Sequence, residues 1–243
     1  MKNLSLKSIV FLSVSLLFLT SCLAQNNRRV KGSGNIIQET RKVGSFEKVG
    51  VSGAFDVFLV KGNEGHLDIK IEDNLLPYLV TEVDGGKLKI KWKKGTNIST
   101  RKNVVITVQF KGINAVALTG SGDIISKDKI KADHFETAVS GSGDIELEVE
   151  ANSLKAAVSG SGDIVLRGST KIFEAAVAGS GDIGAYNLKS EKAEVKVSGS
   201  GDIELTVSKE LKARVSGSGD IDYRGNPKIQ DIKVSGSGDV SSD

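Results

Sequence analysis

The sequence predicts an all-β fold, a parallel β-helix of stacked coils with one short helix near its N-terminal end, and three observations carry that prediction. The string Gly-Ser-Gly-Asp stands at Gly120–Asp123, Gly141–Asp144, Gly160–Asp163, Gly179–Asp182, Gly199–Asp202, Gly217–Asp220 and Gly236–Asp239. Subtracting successive Asp positions gives steps of 21, 19, 19, 20, 18 and 19 residues, the near-fixed period of a stacked repeat. On both sides of each copy, apolar and polar residues alternate as in half-buried strands. The third observation is that the turn residues are the same in every copy. Two strands per repeat would also fit an antiparallel barrel or blades with Ser-Gly-Ser-Gly as a hairpin. A hairpin needs its turn residues only for itself, whereas corners stacked about 4.8 Å apart set like residue on like residue and reward identity.

The leader follows a separate logic. Lys2 and Lys7 precede an apolar run from Ser8 to Leu19, too short to span a bilayer comfortably and suited to a secretory signal. It ends in Leu19-Thr20-Ser21-Cys22, which resembles the lipobox of bacterial lipoproteins, where cleavage leaves the Cys to carry lipid. Cys22 is the only Cys; a lipid thioether accounts for a lone Cys in an exported chain and predicts a membrane anchor. Residues 1–21 thus read as a lipoprotein signal peptide and 22–30 as a polar tether. The chain has 33 Lys and Arg against 30 Asp and Glu. Without the two leader lysines the balance is nearly neutral, which argues against a nucleic-acid partner.

Residues 31–118 read as degenerate coils and a cap. Gly32-Ser33-Gly34-Asn35 is an early echo of the repeat with Asn in place of Asp. Phe46 to Asp56 matches the later Phe173 to Asp182 once a residue is inserted, which makes it a degenerate first coil with Asp56 in the Asp position. Leu67 to Glu72 alternates like a strand. Asp73 or Asn74 can then cap a short helix over Leu75 to Val80, with Pro77 in its first turn, suited to cover an open β end. Asp84-Gly85-Gly86 is a turn. Lys87 to Lys93 alternates, with Leu88, Ile90 and Trp92 on one face and four lysines on the other. The lysines fit either a basic patch for phosphate, acidic glycan or anionic lipid, or an exposed strand kept soluble and protected from edge pairing, and the second is the simpler reading. Val104 to Phe110 and Ile113 to Leu118 complete this region.

Residues 119–243 are the repeat helix. Before each corner Phe135, Thr137 and Val139, or Phe173, Ala175 and Val177, share the inward face, and Val158, Val177, Val197 and Val215 should stack in one apolar row. After it, Ile145, Leu147 and Val149, or Ile203, Leu205 and Val207, do the same. The outward faces hold Lys155, Glu194, Lys196, Lys212 and Arg214. A second, variable connection, such as Arg167 to Lys171, should separate the two short strands of each repeat.

With the leader, Gly32-Ser33-Gly34-Asn35, Phe46 to Asp56 and the serial Val-Ser-Gly-Ser-Gly-Asp-Ile in place, the chain resembles, from about Lys31 onward, the putative autotransporter adhesin, head GIN domain family of Gram-negative envelope proteins. The resemblance implies a single-stranded right-handed parallel β-helix, similar in shape to pectin lyases, with an adhesion role. It carries over no catalytic residues.

The repeated Asp123, Asp144, Asp163, Asp182, Asp202, Asp220 and Asp239 form the one candidate constellation. They fit a calcium ladder, since Ca²⁺ takes oxygen ligands, but known Asp-repeat calcium rolls have a nine-residue period. They also fit a structural corner in which each carboxylate accepts hydrogen bonds from corner N–H groups, as in an Asx turn, and this reading is preferred, with no metal and no cofactor. His66 and His134 sit at unrelated repeat positions and mark no acid–base pair. Tyr186 and Tyr223 are the expected exposed aromatics for sugar contact. The sequence therefore predicts a non-enzymatic cell-envelope lipoprotein, adhesin-like or scaffolding, lipid-anchored at the outer membrane, with an envelope glycan or protein as partner. The alternative is a glycan-binding module or a polysaccharide-active enzyme.

Overall fold

The computed structural model describes residues 29–243. The expected signal peptide, Cys22 and the expected tether up to residue 28 lie outside the described residues. Arg29 and Val30, the last two tether positions, belong to the first strand.

The chain enters through β1 (Arg29–Lys31), β2 (Ile36–Lys42), β3 (Lys48–Ser52), β4 (Asp56–Lys61) and β5 (His66–Glu72). After one 3-10 segment over Asp73–Tyr78 come β6 (Leu79–Asp84), β7 (Lys87–Trp92), β8 (Asn97–Ser99) and β9 (Val105–Phe110). The short helix thus begins two residues before the expected Leu75 and ends before Val80, which is in β6; Pro77 lies well inside it, and no side chain caps its N-terminus. Pro77 has no N–H to donate to the i−4 carbonyl of an α-helix, and a brief 3-10 segment is the outcome. Leu75 is fully buried and covers this end of the core.

Much of this first layer is antiparallel. β2 pairs with β5, β5 with β9, and β6 with β7. Asp84 opposes Lys87 across Gly85 and Gly86, both at positive φ, as a two-residue type I′ hairpin requires. The lysine strand β7 lies between β3 and β6 and is not the exposed edge expected from the sequence. Its lysines meet acids on β6, Lys89 with Asp84 and Lys91 with Glu82. The echo Gly32 to Asn35 is no solenoid corner either. It leads into β2, and Asn35 Nδ2 donates to Asp73 Oδ2 at 3.0 Å.

From the coil of β3 and β4 into the repeat the strands stack in parallel. The coil of β3 and β4 lies on β10 (Ala115–Gly120) and β11 (Ile124–Ser126), which lie on β12 (Ile130–Gly141) and β13 (Ile145–Gly160). β14 (Ile164–Gly179), β15 (Ile183–Gly199) and β16 (Ile203–Gly217) follow, then β17 (Ile221–Arg224), β18 (Ile229–Gly236) and β19 (Val240–Ser242). This is a parallel β-solenoid of about seven turns. Its coils in the repeat are single long strands that bend, and the expected break at Arg167–Lys171 does not occur: Gly168, Ser169 and Thr170 stay in register with Leu188, Lys189 and Ser190. Backbone pairing across the bend satisfies N–H and C=O groups that a loop would leave to water.

The interior is built of columns. Val51, Leu118, Val139, Val158, Val177, Val197 and Val215 stand in register, each 1–2 % exposed. After the corner, Val57, Ile124, Ile145, Ile164, Ile183, Ile203 and Ile221 form a second column, each 0–1 % exposed. Burying one such side chain contributes roughly 1.5–3 kcal/mol. The extra residue of the first coil falls between Phe46 and Val49, both buried although three positions apart.

Candidate functional site

Two features recur from coil to coil and differ from the packed interior: the Gly-Ser-Gly-Asp corner and a trough at the second bend.

At the corner, backbone approaches backbone so closely that side chains are excluded. A Cβ on Gly162 would lie 2.1 Å from the carbonyl oxygen of Gly143, and one on Gly160 would lie 2.3 Å from that of Gly141, with Gly160 also at φ 132°. The closeness serves hydrogen bonding: Ser161 and Gly162 N–H both donate to the Gly141 carbonyl, at 2.8 and 3.0 Å. The Ile145 N–H donates across to the Asp163 carbonyl at 2.9 Å. The Asp163 N–H takes a side-chain acceptor, Asp144 Oδ1, at 2.8 Å. The same bond runs from Asp144 to Asp123 at 3.4 Å and from Asp182 to Asp163 at 2.8 Å. It continues from Asp202 to Asp182, Asp220 to Asp202 and Asp239 to Asp220 at 2.8, 2.7 and 2.7 Å. The donor is therefore the Asp one coil on, whereas an Asx turn would draw on a donor of its own corner. Asp56 stands in register before Asp123 but does not join the ladder: it accepts from Asn103, and the Asp123 N–H goes to the Phe55 carbonyl. Among the described residues, no group of three or more His, Cys, Asp or Glu is placed to hold a metal ion.

The trough lies where the long strands bend. Its floor is the column Ala132, Ala151, Thr170 and Ser190, in register over four coils. One wall is the row Lys131, Glu150, Ser169 and Lys189; Asn152, Lys171 and Glu191 line the other, with Ser208 at the end, around a volume of about 710 Å³. The floor hydroxyls are engaged, Thr170 with the Ile172 carbonyl and Ser190 with the Thr206 carbonyl. Lys131 meets Glu150 at 3.3 Å and Lys209 meets Glu191 at 2.6 Å. The Lys209 bond holds the Glu191 carboxyl below the usual range. Among the described residues, Lys171 and Lys189 have no carboxylate oxygen within 4.0 Å.

One coil departs from the strict repeat. Ala185 pairs with Leu205 and Lys189 with Thr206, so Tyr186, Asn187 and Leu188 bulge from the ladder with β16 just before the trough, while Asn187 and Leu188 stay paired with Arg167 and Gly168 on β14. The Tyr186 ring packs under the Arg224 guanidinium, 3.8 Å from its centroid. Burial, then the nearby Glu204, Asp222 and Asp243, push the phenol pKa up. Tyr223, expected at the surface, is 8 % exposed, because strand alternation points it inward over Leu205. His134 bonds Ser153 and lies 3.1 Å from Asp133, and His66 bonds the Asn63 carbonyl; the two are in separate parts of the fold. The trough was not read from the sequence. Its one signal there was the change of pattern at Lys171-Ile172, two consecutive exposed residues.

Comparison with solved structures finds the same architecture. A putative adhesin from Bacteroides fragilis superposes with a TM-score of 0.82 at 24% identity, over 88% of this chain and 100% of its own. A putative lipid binding protein from Parabacteroides distasonis gives 0.74 at 29% identity, over 89% and 100%. A putative adhesin from the same organism gives 0.73 at 24% identity, over 88% and 100%. No curated protein matches the chain. The family model described as putative auto-transporter adhesin, head GIN domain, matches residues 45–227, from the degenerate first coil through the Tyr223 strand, and the chain belongs to that family.

Proposed function

We propose that this protein is a non-enzymatic cell-envelope lipoprotein, held at the outer membrane by lipid on Cys22, whose solenoid serves as an adhesin-like scaffold. The observation that carries this reading is the unbroken register of the segments before each corner, from β3 to β18, which lays side chains out in straight rows over a filled interior. Such a surface suits an extended partner better than a small substrate. The carboxylates beside the trough, Glu150 and Glu191, are paired with lysines, a state that favours binding over general acid catalysis. The lipid-binding description belongs to the Parabacteroides relative; in this chain the packed core favours lipid contact through the acyl chains of Cys22. A second reading, a glycan-binding module, is favoured by the trough itself.

The test is fractionation and surface proteolysis of intact cells. Wild-type protein is expected in the membrane fraction and open to added protease, and Cys22→Ser is expected to be soluble. A soluble wild-type protein with a free thiol overturns the anchor; cleavage only after lysis overturns adhesion.

A further inference from the structure

We propose that the trough at the second bend binds one extended strand of an acidic polysaccharide, lying parallel to the solenoid axis. The inference rests on the binding-scaffold reading above and names the partner of one face.

Length and shape come first. Ala132, Ala151, Thr170 and Ser190 are successive coils of one column, and Ser208 lines the end of the trough from the next coil. At about 4.8 Å per coil the floor runs about 14 Å and the trough, counted to the coil of Ser208, about 20 Å, one coil step for roughly each pyranose unit of an extended chain. The small floor side chains keep it open, and the bulge at Tyr186–Leu188 sets Lys189 against Thr206 at its far end.

Chemistry then selects the polymer. β13, β14 and β15 are paired coil to coil on both sides where they line the trough, so its middle offers no free edge to an added peptide strand. A nucleic acid would need many uncompensated cations, and here Glu150 and Glu191 stand among the lysines. A lipid tail would meet polar walls. What remains suits hydroxyls with a sparse negative charge. Ser169 offers a hydroxyl, and Asn152 and Ser208, whose amide and hydroxyl donate to Asp133 and to the Ser190 carbonyl, keep acceptor oxygens; Lys189 and Lys171 stand on opposite walls of adjacent coils, without carboxylate partners. A sugar carboxylate between them supplies the missing partner. No aromatic ring lines the trough, so stacking contributes nothing there and binding depends on charge.

The experiment uses the full lipid-free chain with two probes, hexagalacturonate and cellohexaose, measured by calorimetry at low and high salt. Hexagalacturonate is expected to bind at least ~10-fold more tightly than cellohexaose and to weaken as salt rises. The Lys171→Glu/Lys189→Glu double variant is expected to lose about 10-fold or more, while Lys155→Glu, an exposed charge before the corner, leaves binding unchanged. Both positions are exposed, and an unchanged melting temperature shows that the double variant is folded. Equal binding of both probes, no binding of hexagalacturonate, or equal loss in Lys155→Glu overturns the proposal. The readouts separate the two readings. Shortened oligosaccharide overturns the non-enzymatic scaffold and retains the trough as the site; adhesion that persists without hexagalacturonate binding removes the trough and retains the scaffold.

Discussion

Glu72 in the N-terminal layer and Asp163 in the repeat stack both use a carboxylate to satisfy backbone N–H groups, but they do so under different constraints. Glu72 is fully buried and uses both oxygens, Oε1 for Gly34 at 2.6 Å and Oε2 for Arg101 at 2.9 Å. Asp163 is half-exposed and its Oδ1 serves one donor, Asp182. The first layer has no coil beneath it to copy, so β2, β5 and the loop at Arg101 are tied by side chains that occur once. In the stack each corner hands the next coil the same acceptor. Repetition replaces individual solutions by one solution used many times, and errors in the two regions should therefore have different costs.

The largest expected effect is in the stack. Val177 is 2 % exposed in the continuous Val column, and Val177→Asp buries a carboxylate with no partner, costing on the order of 4 kcal/mol at neutral pH. Burial raises the folded pKa above the unfolded one, so the loss should shrink as pH falls through that raised value. Chemical unfolding at several pH values checks this; a pH-independent loss would show that the side chain escapes to solvent.

Glu72→Gln comes next, at roughly 2–3 kcal/mol, because an amide keeps one acceptor and turns an N–H toward the second donor. Denaturant unfolding reads the loss, and a stability equal to wild type would remove the two-oxygen clamp from the account of the cap. Gly162→Ala should cost about 2 kcal/mol, since its Cβ meets rigid backbone. Gly50→Ala in the first coil meets only the flexible end of Lys87 and should lie within about 0.5 kcal/mol of wild type. A Gly50 variant as damaged as the Gly162 one would erase the distinction between the two layers.

Small effects are expected at the ladder too. Asp163→Ala loses the acceptor and should cost about 1 kcal/mol, whereas Asp163→Asn keeps it and should be nearly neutral. EDTA and millimolar Ca²⁺ should leave the melting temperature of all three proteins unchanged. A Ca²⁺-dependent rise that vanishes in Asp163→Asn would install a metal ladder in place of the hydrogen-bonded one.

The stacked coils and their inward columns were legible because each repeat states its own alternation. One coil read correctly predicts the others, as Val158, Val177, Val197 and Val215 show. The cap was less legible. Lys87 to Lys93 and Gly32 to Asn35 each carry a familiar local pattern, yet their partners, β6 for the lysines and Asp73 for Asn35, lie in other segments that no period predicts.

By itself the sequence determined the period, the glycine corners and the side of each strand that faces inward, because these depend on residues a fixed step apart along the chain. The tertiary structure alone decided that Asp163 bonds the coil beyond it and that Lys171 and Lys189 come to face one trough. Each of these depends on which atoms meet across coils, and a single bulge at Tyr186–Leu188 shifts that meeting without altering the repeat that surrounds it.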